Sequence, residues 1–283
     1  MITSISNSKL TAQIKHLGAE LCSLKNNTNT EFVWNGNPEF WGKHSPVLFP
    51  IVGTLKNNTY SIDNKEYKLS RHGFARDMEF ELIKKEVNSV TFALKSSEKT
   101  LKLYPFKFEL HIVYTLKEMG LIIQYVVINS NNTEMPFSIG AHPAFSLTGN
   151  FEEYAIEFEQ EESLNYFLLE NDLVSNTTQK LETNNKKITL SYRLFDADAL
   201  VFKILKSNSL SILKNSEPLF KINFEGFPNL GIWTKNNAPF ICIEPWYGYS
   251  DTSESTGDLF EKEGIQILEA NTIFKTTFSI DIF

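Results

Sequence analysis

The sequence is poor in cysteine. Only Cys22 and Cys242 occur in 283 residues, each inside an apolar, strand-like run. Free cysteine in such a setting behaves as a small buried hydrophobe, so both are expected to be reduced. No long Lys/Arg cluster is present and the formal net charge is −7, which argues against a nucleic-acid or other polyphosphate partner, because that affinity rests on neutralising phosphates. The first residues, MITSISNSKLTAQIK, lack a basic segment followed by an apolar core, and no stretch of about 18 apolar residues occurs anywhere. A soluble, cytoplasmic protein without a membrane partner is the expectation, and triplets such as Asn57-Asn58-Thr59 then carry no glycosylation meaning. Internal repeats, low-complexity tracts and composition breaks are also missing, so residues 1–283 read as one domain.

Helical periodicity is nearly absent, and short β patterns take its place. ITSIS, KLTAQIK and AELCSL open the chain as a meander, and TYSI with KEYKL forms a hairpin about Asp63-Asn64. SVTFALK places Val90, Phe92 and Leu94 on one face; FELHIVYTL does the same with Phe108, Leu110, Ile112, Tyr114 and Leu116. LIIQYVVIN is apolar on nearly both faces and reads as a central strand covered on both sides. Phe274, Phe278, Ile280 and Ile282 require the last strand to return into a sheet. A helical turn is expected only at Ser97–Leu103, while residues 31–50, 134–147 and 170–187 read as irregular, the last as a long exposed loop. This pattern predicts an all-β fold, a large antiparallel β-sandwich.

One run stands out, PFICIEPWYGYSD at residues 239–251. An apolar β segment ends at Glu244, followed by Pro245 and by Trp246, Tyr247 and Tyr249. A carboxylate after a buried run is costly unless paired or functional, and an acid among aromatics suits a sugar. Of the five histidines, His111 and His16 read as ordinary strand and turn residues, and His44 is ambiguous. His72 and His142 lie in irregular segments among Gly and Ala, where a ligand can approach the backbone. Two imidazoles and a carboxylate have three chemical meanings. A metal site lacks support from any His-x-His, His-x-x-x-His or Glu-x-x-His spacing. A glycosidase wants a second well-placed carboxylate. General acid–base catalysis on a sugar hemiacetal needs only one Glu and one His.

The segments RHGFARD (71–77), IGAHPAF (139–145), FPNLGIW (227–233), ICIEPWYG (241–248) and LFPIVG (48–53) occur in an order that resembles the aldose 1-epimerase (galactose mutarotase) family, with its LacX-like branch most similar. The resemblance spans nearly the whole chain and implies a galactose-mutarotase-type sandwich, reversible ring opening that interconverts α and β anomers of a hexose or hexose phosphate, and no cofactor or metal. By motif, Glu244 resembles the general base, His142 the acid serving the ring oxygen and His72 a second site histidine. Asp198 resembles an aspartate that binds sugar hydroxyls, with Asp196 as a competitor. Arg76 could hold a substrate oxygen or phosphate, or pair with Asp77; Trp246 could stack on a pyranose or fill core. Many relatives carry Arg where this chain has Thr54, and the nearest cation in sequence is Lys56, so the sugar is left open. A non-catalytic sugar-binding protein is the alternative, and sheet edges leave room for a homodimer.

Overall fold

The computed structural model describes all residues, 1–283. Two large antiparallel sheets dominate, one nine-stranded and one eight-stranded, the latter with seven strands along its main path and Ala144–Ser146 pairing off it, with a three-stranded N-terminal sheet and two two-stranded pairs beside them. Their inner faces meet through aromatic side chains: Phe145 stacks on Phe220 at 4.5 Å, and Phe227 and Tyr247 meet Phe278 and Phe274 edge-on. Alternation produces this core directly. In Phe108–Lys117 every second residue is buried, as expected, and Ile273–Ile282 returns between Gly120–Asn129 and Glu217–Asn223. Helix is confined to one six-residue α-helix, Glu98–Leu103, and short 3₁₀ turns; Ser97 caps the helix in a reciprocal box with Thr100.

Three expectations need correction. Glu244 does not end its strand: Phe240–Tyr247 runs on through Pro245. Proline is tolerated because the neighbour on one side changes there, from Ala144–Ser146, which pairs as far as Cys242, to Ile139–Ala141, which begins pairing at Trp246. The segment 170–187 is not a loop. Leu173–Lys180 is a strand paired with Asn165–Glu170 around Asn171-Asp172, both at positive φ, the geometry of a tight hairpin turn. It carries no readable apolar period because most of it faces water on both sides, with only Val174 buried. Gly120–Asn129 is central, but Ile122, Gln124 and Ile128 on its outer face are only half-buried rather than covered. No helix is long and apolar enough to cross a membrane.

Candidate active site

A cavity of about 500 Å³ opens on the eight-stranded sheet, within the size range of small-molecule sites. Its floor is the Phe240–Tyr247 strand. Ile241 and Ile243 point into the main core, so Cys242, Glu244 and Trp246 point the other way. His142 sits in the gap between the two short partner strands, where Pro143 interrupts the ladder, and its Nε2 lies 3.3 Å from Glu244 Oε2. The break in pairing is what admits an imidazole beside the carboxylate. Asn35–Pro46 supplies Trp41, whose ring stacks on His142 at 4.7 Å, while Trp233 meets the same imidazole edge-on. That irregular segment is pinned by Glu20, which accepts from the His44 and Ser45 amides at 2.7 and 3.2 Å, and by the Trp34 indole donating to Trp41 O at 2.9 Å.

His72 is held in the left-handed region at φ 68°, followed by Gly73 at φ 70°. Two hydrogen bonds with Gly53 fix it: the His72 amide donates to Gly53 O at 2.8 Å, and the Gly53 amide donates to His72 Nδ1 at 3.0 Å. A backbone amide can only donate, so in the neutral ring the proton resides on Nε2. Burial, reinforced by His142 and the nearby guanidinium groups, pushes the His72 pKa well below its ordinary value. His72 is therefore a neutral donor. Arg71 Nε–H is directed at this same Nε2 from 3.3 Å, so with the ring proton on Nε2 the two N–H groups face each other, and an acceptor oxygen beside them would satisfy both.

Burial also decides the central pair. It raises the Glu244 pKa well above 4.5; Asp198 adds to this, while Arg71 and the Trp246 indole oppose it. It lowers His142 to about 3. Burial thus favours the neutral pair, carboxyl beside imidazole, over the ion pair that acid–base roles suggest at first sight. The number of protons is the same in both forms, and the pair titrates as a unit. Glu244 Oε2, His142 Nδ1 and Trp246 Nε1 are all buried without a hydrogen-bond partner.

All six residues singled out from the sequence, His72, Arg76, His142, Asp198, Glu244 and Trp246, line this one cavity. Asp198 lines it in a left-handed conformation at φ 80°, whereas Asp196 is an exposed residue capping a 3₁₀ turn. Arg76 donates from Nη2 to Arg71 O at 2.8 Å; its Nε stands 3.7 Å from Asp77, which instead pairs with Lys43 at 2.8 Å. Trp246 is a wall rather than a platform. Its indole fills a slot over Gly140 and Gly231 on the flanking strands and is 6% exposed. Gly231→Ala puts a methyl against that ring, so a loss of about 1–3 kcal/mol and a raised KM are expected; an unchanged melting temperature and KM would contradict the slot.

Sequence reasoning missed Arg71, Trp41, Trp233 and the hairpin residues Leu169 and Val174, all of which line the cavity. Arg71 was legible as the neighbour of His72. Thr54 and Lys56 do not line the cavity; Arg71 does, arriving from the next loop and bridging to Asp172 at the hairpin tip at 2.9 Å.

The sequence model of the aldose 1-epimerase family matches residues 1–262. The chain is 37% identical to the chromosomal protein LacX of Lactococcus lactis subsp. lactis over 277 residues, 92% of each chain. Among solved structures, a galactose mutarotase related enzyme from Lactobacillus acidophilus superposes with a TM-score of 0.95 at 35% identity, covering 100% of this chain and 97% of that one. A galactose mutarotase-like protein from Lactobacillus casei gives 0.94 at 30% identity with full coverage of both chains. Galactose 1-epimerase of Lactobacillus acidophilus shares the fold, with a TM-score of 0.73 at 14% identity and coverage of 99% and 93%.

Proposed function

Because the chain belongs to the aldose 1-epimerase family, we propose that it is a mutarotase that interconverts the anomers of a hexose or hexose phosphate by general acid–base ring opening. The observation that carries this is the buried Glu244–His142 pair, 3.3 Å apart and facing the cavity, with an unpartnered oxygen on one and an unpartnered nitrogen on the other. Ring opening takes a proton from the anomeric hydroxyl and gives one to the ring oxygen. A site with one transferable proton shared between two groups can do both without exchanging protons with solvent. Hydroxyl donors on the bound sugar supply hydrogen bonds to the carboxylate. They shift the shared proton to His142, leaving Glu244 as base at the anomeric hydroxyl and His142 as acid at the ring oxygen. His72 Nε2–H and the Arg71 guanidinium donate to sugar oxygens, Asp198 accepts from hydroxyls, and Arg76 lies where a further oxygen or a phosphate would be held.

The test follows the anomeric NMR signals of freshly dissolved α-D-galactose, α-D-glucose and a hexose 6-phosphate. Acceleration supports the reading; binding without acceleration would replace it with a sugar-binding protein. The pH profile is a second check. A raised Glu244 pKa keeps the shared proton in place as pH rises from acid values and loses it only as pH passes that raised pKa, so the alkaline limb belongs to this loss. The acid limb lies toward about 3, where His142 takes a second proton. An acid limb at the ordinary histidine value of 6.5 would contradict the burial argument.

A further inference from the structure

Beneath the cavity lies one potential ligand that the sugar chemistry does not use. Cys242 precedes Glu244 by two residues and projects to the same side of the sheet, and one ligand atom from each of His142, Cys242 and Glu244 lies within 4.8 Å of the others. All three are buried, Cys242 is a free thiol, and Glu244 Oε2 has no hydrogen-bond partner. We propose that Cys242, His142 and Glu244 form a binding site for a single thiophilic divalent cation, Zn²⁺ by ligand preference, whose occupation blocks the sugar site instead of assisting the reaction.

Two donors about 2.0–2.2 Å from a tetrahedral zinc stand roughly 3.4 Å apart; His142 Nε2 and Glu244 Oε2 are 3.3 Å apart. A thiolate at about 2.3 Å from the same ion stands roughly 3.6 Å from the other ligands, and the three ligand atoms already lie within 4.8 Å of one another, so Sγ moves on the order of 1 Å. Charge favours the complex: a dication, a thiolate, a carboxylate and a neutral imidazole sum to zero, the form a buried site tolerates. The thiol and carboxyl protons leave to solvent and no electrons move. Mg²⁺ and Ca²⁺ are disfavoured, because one ligand is sulfur and one nitrogen. Glu244 and His142, which line the cavity, are held by the ion and unable to transfer protons.

The competition with sugar rests on the mutarotase reading; the metal site does not. Metal-free full-length protein is titrated with Zn²⁺ by calorimetry and with Co²⁺ by absorbance. The expected result is one equivalent bound, with a thiolate-to-cobalt charge-transfer band that Cys242→Ser and Cys242→Ala remove and Cys22→Ala retains. Both Cys242 variants should weaken Zn²⁺ by roughly tenfold or more and keep their sugar activity in the presence of Zn²⁺ that stops the parent. Absence of one-to-one binding, or affinity unchanged in both Cys242 variants, overturns the proposal. A protein inactive on every sugar leaves the calorimetric and cobalt results decisive.

Discussion

Glu244→Gln is expected to lower kcat for anomer exchange by about 10³-fold, within the range for loss of a positioned proton-transfer group, and to make the protein more stable at neutral pH. The two effects have one cause. Burial raises the folded-state pKa of Glu244 above its unfolded value of 4.5, so the stability this group contributes is fully present below 4.5 and is lost as pH rises toward the folded pKa. As pH rises above 4.5, the wild-type fold holds the proton on a carboxyl that the unfolded chain would ionise. Glutamine removes that cost while keeping the shape, and a gain of about 1–2 kcal/mol is expected, a stability–function exchange typical of active sites. Denaturant unfolding across pH measures it: the advantage of the variant should shrink below pH 4.5. A variant that is inactive and less stable would show that the carboxylate is charged and paired in the fold.

The largest loss of stability is expected at Lys262. Its Nζ donates to Asp251 Oδ1 at 2.8 Å and to Tyr249 O at 2.6 Å, with both side chains about 3% exposed. Burial pulls the lysine pKa below 10.5, and Asp251 opposes this. Asp251 is a junction: its Oδ2 accepts from the Lys56 amide at 2.8 Å, its amide donates to Thr54 O at 2.8 Å, and its carbonyl accepts from the Val174 amide at 2.8 Å. The pair thus joins the 249–251 and 53–56 segments to the hairpin that walls the cavity. Lys262→Met leaves a buried carboxylate uncompensated and should cost about 3–5 kcal/mol, whereas Lys262→Met with Asp251→Asn should recover a substantial part. KM should rise in the single variant as the cavity wall loosens. A double variant as unstable as the single one would show that the pair acts through packing and not charge.

Much of this was legible because it is local. Strand alternation at 108–117 and 273–282 is a two-residue period that burial obeys, and the Asp63-Asn64 turn shows the positive φ values its residue types favour. The 170–187 hairpin was misread because a strand exposed on both faces has no apolar period, and its register comes from the Asn171-Asp172 turn and the neighbouring strand. Trp41 and Trp233 were unreadable as site residues for a different reason: an aromatic in an irregular segment gives no indication of which cavity it will meet.

The sequence by itself determined the sandwich, through strand period and turn chemistry, and the residue types of the site, through an acid after an apolar run and histidines among small residues. Tertiary structure alone decided that Glu244 lies within a strand opposite a break in its partner, that Arg71 brings a guanidinium to the cavity, and that Cys242 lies beside Glu244 and His142. It also decided where the proton sits. Charge preference depends on desolvation by residues far apart in the chain, and the same Glu and His written at a surface would have carried the opposite charges.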